Sequence, residues 1–146
     1  NLKKVKMSTK KTLISKEIAL KEIETLIGKF VKRPVGFDKI EETYPDVLDA
    51  IMDGYLSFDE KGVPVLKLKE PVKAESGNIV LETINFKTRI KPLTLRDLAK
   101  GVDLKKDPLG LPMKQIAYIT NQPEAMVDNY SAYDYDVIDQ ICSIFS

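Results

Sequence analysis

The sequence predicts an α+β protein, with a small antiparallel sheet of about three strands set between N-terminal helices and a C-terminal cluster of short helices. Three observations carry this. Apolar residues recur with helical period over 16–52, runs of β-branched and apolar residues divided by glycine turns occupy 55–90, and prolines and capping residues cut 92–146 into short helical pieces. The chain has 146 residues, of which 43% are hydrophobic, enough to bury a core of its own. The expected organisation is a flexible basic arm at 1–15 and a single α+β domain at 16–146. That domain divides into a helical part at 16–54, a β meander at 55–92 and a second helical part at 93–146.

The first helix is expected from Lys16 to Lys32. Ala19, Leu20, Ile23, Leu26, Ile27 and Phe30 share one third of its wheel, and only Ile18 falls off the stripe. Arg33-Pro34 ends it, because a residue before proline resists the α conformation. Asp38-Lys39-Ile40-Glu41 has the spacing of a capping box, and Pro45 suits the first turn of a further helix stopped by Gly54. Tyr55–Phe58 and Val63–Leu68 flank Asp59-Glu60-Lys61-Gly62, a hairpin signal, with Pro64 expected at an edge or a bulge and Pro71 as a break. Ile79–Ile90 reads as the third strand. Thr94 is the expected cap of a helix reaching Lys100, with Gly101 as its stop. Pro112 or Met113 opens the next, Pro123 another, and Ser131 caps the last, whose apolar face holds Val137, Ile138, Ile141, Ile144 and Phe145.

Charge is laid out in blocks although the net is only +1. Residues 1–33 carry ten basic and three acidic side chains, and 34–70 carry four and nine. Residues 71–106 carry eight and four, and 107–146 one and six. Such alternation lets blocks attract one another or a partner. The leading basic block has no aromatic before Phe30 and no arginine before Arg33, which argues against a nucleic-acid surface. No apolar run approaches the ~20 residues of a membrane span. No apolar stretch of signal-peptide type follows the basic start, and Met7 is a candidate natural start. The lone Cys142 fits a reducing, cytoplasmic compartment.

The usual chemistry of catalysis is sparse. There is no histidine, hence no imidazole base or imidazole zinc ligand; one cysteine cannot build a Cys₄ or Cys₂His₂ site, and Cys142 has no imidazole to activate it as a nucleophile. No phosphate-cradling glycine spacing occurs. Asp134, Asp136 and Asp139 lie close in sequence, but no loop completes a calcium site, and they read as a helix-start carboxylate and solvated side chains. The expectation is a protein without catalytic residues, cofactor or metal.

One stretch is similar to a known family. Pro71-Val72, a strand leading to Phe86-Lys87-Thr88-Arg89, and Ile90-Lys91-Pro92-Leu93-Thr94-Leu95-Arg96-Asp97-Leu98 stand in order. They are followed by Ile116-Ala117-Tyr118-Ile119-Thr120-Asn121-Gln122-Pro123 and by Tyr130-Ser131-Ala132-Tyr133-Asp134 before an apolar helix. This order resembles the tail assembly chaperones of phages and prophages, the Mu-like group in particular. Asn121 stands where that family tends to have glycine, and asparagine also tolerates the left-handed conformation. The resemblance covers residues of about 71–146. It implies a non-enzymatic chaperone in the bacterial host cytosol that binds a tape-measure-type tail protein and is absent from the finished particle. A structural or adaptor component of a phage-like particle, or a protein-binding module unrelated to phage, are the alternatives.

A chaperone for a helical client needs an apolar surface. The expected one is the face of the first helix carrying Ile23, Ile27 and Phe30, turned toward the client or toward a second copy. Arg96, on a helix too short to gain much from it, either pairs with an acid in 107–146 or meets a partner.

Overall fold

A computed structural model of the chain describes residues 13–146, so residues 1–12 of the expected arm lie outside the described residues. The elements are α1 (Lys16–Phe30), α2 (Ile40–Thr43), α3 (Pro45–Met52), β1 (Leu56–Phe58), β2 (Pro64–Lys73) and β3 (Ile79–Asn85). Then come α4 (Pro92–Ala99), α5 (Gly110–Thr120) and α6 (Ala132–Phe145), with 3-10 turns at Phe37–Lys39 and Glu124–Asn129. The sheet is antiparallel in the order β1-β2-β3, and the fold is α+β.

Ser15 starts α1 by accepting the Ile18 N–H on its hydroxyl at 3.3 Å. The residues just before it are not free: Leu13 and Ile14 donate their N–H groups to the Met52 carbonyl at 2.7 and 3.2 Å. The expected arm is therefore tied to the end of α3 from Leu13 onward. Ala19, Ile23, Leu26 and Ile27 of α1 are buried against α3 and α6. The three larger of them stabilise by about 1.5–3 kcal/mol each.

Pro45 occupies the first turn of α3, where its missing N–H has no partner to lose. The helix has no side-chain cap of its own. Gln140 supplies one from α6: its Oε1 accepts the Asp46 and Val47 N–H groups, both at 3.1 Å, and its Nε2 donates to Asp46 Oδ2 at 2.6 Å. Burial, then the nearby carboxylates of Asp136 and Asp49, push the Asp46 carboxyl above its ordinary range. The expected capping box at Asp38 does not form; that stretch enters α2 through a 3-10 turn without a side-chain cap.

The β1–β2 hairpin closes as its turn residues dictate. Asp59 Oδ1 accepts the Lys61 and Val63 N–H groups at 2.8 and 3.0 Å, and Gly62 takes a φ of 78°. Pro64 begins β2, which is the central strand and not an edge; the first residue of a strand tolerates a missing donor. Pro71 does not break the strand. Between the pairs Lys67↔Thr83 and Val72↔Leu81, β2 advances five residues while β3 moves two, so the surplus bulges out of the ladder and takes Pro71 with it.

The bulge leaves backbone donors that β3 cannot reach. Asp134 takes them: its two carboxylate oxygens accept the Lys69 and Glu70 N–H groups at 2.9 and 3.0 Å, and Oδ2 also accepts the Ser131 hydroxyl at 2.9 Å. Ser131 in turn caps α6 by accepting the Asp134 N–H at 3.1 Å. Asp134 is thus fully buried, contrary to the sequence reading of a side chain spent only on its helix start.

β3 ends at Asn85 rather than Ile90, because the chain then turns to the end of α5. Lys87 N–H donates to the Ile119 carbonyl at 2.7 Å, and Asn121 Nδ2 donates to the Asn85 carbonyl at 3.4 Å. Asn121, a non-glycine residue with a positive φ of 59°, closes α5. Pro92, not Thr94, begins α4, and Thr94 lies inside the helix without a capping role. One apolar cluster runs through α1, α3, the sheet, α5 and α6, with Ile138 and Ile141 fully buried in it.

Candidate functional site

Cys142 sits in the core, and burial pushes its thiol up to about 12, with Asp139 adding to the shift. A thiol so protonated is a poor nucleophile at neutral pH. Among the described residues no three His, Cys, Asp or Glu side chains group to hold a metal ion, and no helix is long and apolar enough to cross a membrane.

The residues expected to meet a partner are placed very differently from one another. Ile23 and Ile27 are 0% and 1% exposed. They belong to the core, so the expected α1 surface is corrected: the stripe that suggested a docking face is the face that packs on α3 and α6. Phe30, at the end of the same helix, is only half-buried, its ring edge-on to Phe145 at 5.0 Å between centroids. Arg96 is exposed on α4 and makes no ion pair or hydrogen bond among the described residues; it does not pair with an acid of 107–146.

Two surface features emerge around these positions. The first is α4, which packs on α5 and yet has no buried residue. Leu93 is 65% exposed and Leu95 37%, and beyond the helix Leu104 and Leu109 are exposed as well. The segment 87–114 that contains them carries eight basic and three acidic side chains. Lys100 pairs with Asp97 at 3.3 Å, and Lys87 Nζ lies 3.9 Å over the Tyr118 ring, while Arg96 keeps its charge for solvent. Four exposed leucines therefore stand in a basic setting within this one segment, although Leu93 and Leu95, two residues apart, do not share a face of α4.

The second feature is a cleft of about 490 Å³ where the end of α1, the linker after β3 and the end of α6 converge. Phe30, Ile90, Ile144 and Phe145 give it apolar walls, and Lys29 and Arg89 stand at its rim with Thr88 and Ser146. No acidic side chain lines it. Of these residues the sequence singled out Phe30 alone as a contact. Ile144 and Phe145 looked like ordinary core-facing positions of the last helix, and Arg89 drew notice only as part of the family-like order.

Comparison with family models, with curated proteins and with solved structures finds no match.

Proposed function

We propose that the protein is a non-enzymatic tail assembly chaperone of phage or prophage type, binding a tape-measure-like client while a tail is built. The observation that supports this reading is α4. It lies in the stretch whose order resembles that family, and it holds Leu93, Leu95 and Arg96 out to solvent although its own packing needs none of them there. Leucines left exposed beside a basic stretch suit the capture of an amphipathic segment of a long helical protein. The basic setting adds electrostatic attraction for acidic stretches of such a client.

The test is genetic and biochemical together. Deleting the coding sequence is expected to abolish assembled tails, and the intact protein supplied in trans is expected to restore them. Leu93→Glu combined with Arg96→Glu is expected to stay folded and to fail in that rescue. A long helical protein is expected to be encoded beside the chain; co-expression with it is expected to yield a soluble complex, and mass spectrometry of finished particles is expected to lack the chain. Stoichiometric retention in particles favours a structural role instead, and normal tails in the deletion strain overturn the proposal.

A further inference from the structure

We propose that the cleft at Phe30, Ile90 and Phe145 is a second binding site, specific for an acidic peptide segment of a partner protein. One large apolar side chain of that segment enters the cleft, and carboxylates beside it face Arg89 and Lys29. This goes beyond the client-binding reading and stands on its own observations.

The volume of about 490 Å³ matches a concave site rather than a packing defect, and one phenylalanine or leucine fills only part of it. Its walls come from three separate elements, so the shape is set by the tertiary fold and not by one side chain's rotamer. Two of the lining rings, Phe30 and Phe145, pack edge-on against each other at 80°. Charge decides what enters. Both charged side chains at the cleft are cations, and none is acidic. Lys29 is fixed by donating to the Lys61 carbonyl at 2.9 Å, whereas Arg89 is exposed and unpaired among the described residues. A guanidinium free of partners at an apolar cleft is suited to bidentate contact with a carboxylate.

A second copy of the chain fits less well. One aromatic candidate is the exposed Phe37, which stands near acids in sequence. Two of those, Glu41 and Glu42, already pair with Lys16 at 2.6 Å and with Lys39 at 3.2 Å. Engaging the cleft would mean giving those pairs up.

The experiment is fluorescence anisotropy with a labelled synthetic peptide of about 15 residues, long enough to order on binding, carrying one phenylalanine and one leucine flanked by glutamates. The full chain is expected to bind it saturably, and more weakly as salt rises. Arg89→Glu is expected to weaken binding by about tenfold or more, whereas Lys73→Glu, exposed at the far end of the β2–β3 ladder from Asn85, leaves it unchanged. Should Arg89→Glu fail to fold by circular dichroism, Arg89→Gln gives the same reading with a smaller loss. The proposal is overturned by any of four results. These are no saturable binding, equal binding by Arg89→Glu, equal binding of a peptide with every glutamate replaced by glutamine, or tighter binding of a single-stranded oligonucleotide than of the peptide. Sedimentation of the free chain supplies the last arm: a dimer that Arg89→Glu dissolves makes a second copy the occupant and also overturns it.

Discussion

Replacing Asp134 by alanine is the sharpest test of how the sheet and α6 are joined. The side chain accepts two backbone donors from the β2 bulge and the Ser131 hydroxyl. Stranding a buried donor costs about 1–3 kcal/mol, more when its partner was charged. Lys69 and Glu70 are themselves exposed residues, so water reaches part of the vacated site and the low end applies to each. Adding the loosened cap of α6, the loss comes to about 3 kcal/mol, or roughly 10 °C in melting temperature for a domain of this size. Asp134→Asn keeps one acceptor and turns an N–H₂ toward the other donor, so about half of that loss remains. Thermal and urea unfolding followed by circular dichroism measure both. A shift under about 3 °C for Asp134→Ala would show that the bulge does not depend on this carboxylate, and the account of β2 would fall with it.

Further expectations follow from the core and from titration. Ile23→Glu places a carboxylate at a site with 0% exposure and should unfold the chain, while Ile23→Ala should cost about 2–5 kcal/mol; a folded, monomeric Ile23→Glu refutes the core assignment of α1. Gln140→Ala removes the acceptor for two N–H groups at the start of α3 and should cost about 1–2 kcal/mol by urea denaturation, with a loss near zero counting against a cap supplied from another helix. The Cys142 thiol is raised from 9.0 to about 12 when folded, so the unfolded chain releases its proton first. Its contribution to stability is whole below the unfolded value and declines as pH rises from about 9 toward 12. Burial also raises the Tyr44 and Tyr133 phenols, which act in the same direction, so Cys142→Ala should flatten the decline without abolishing it; an unchanged slope refutes the thiol's share.

What the sequence made legible is what short-range chemistry decides. The N-cap serine at 131, the hairpin turn at Asp59–Gly62, Pro45 in a first helical turn and Asn121 in the left-handed conformation all announce themselves within four residues. The misreadings share one cause, that the deciding partner lies far along the chain. Pro71 looked like a break because nothing nearby shows that β2 bulges there, or that Asp134 waits to receive the bulge's donors. Thr94 looked like a cap, but Pro92 two residues earlier has its φ fixed at a helical value and starts the helix first. The apolar stripe of α1 was seen correctly and its destination was not. Periodicity tells that a face is apolar, and only the neighbouring elements tell whether protein or solvent meets it. For the same reason the cleft was invisible, since its walls are brought together from residues 29–30, 88–90 and 144–146.

The cap that Gln140 places on α3 has a consequence for the order of events during synthesis. The donors it satisfies belong to residues 46 and 47, and its own helix begins at Ala132. Until Ala132–Phe145 is made, α3 lacks the Gln140 acceptor at its start and the bulge of β2 lacks the Asp134 carboxylate. Both vacancies are closed by one later event, the docking of α6. A nascent chain is therefore expected to keep these two places open to exchange and to proteases until that helix emerges, and then to gain order in both at once.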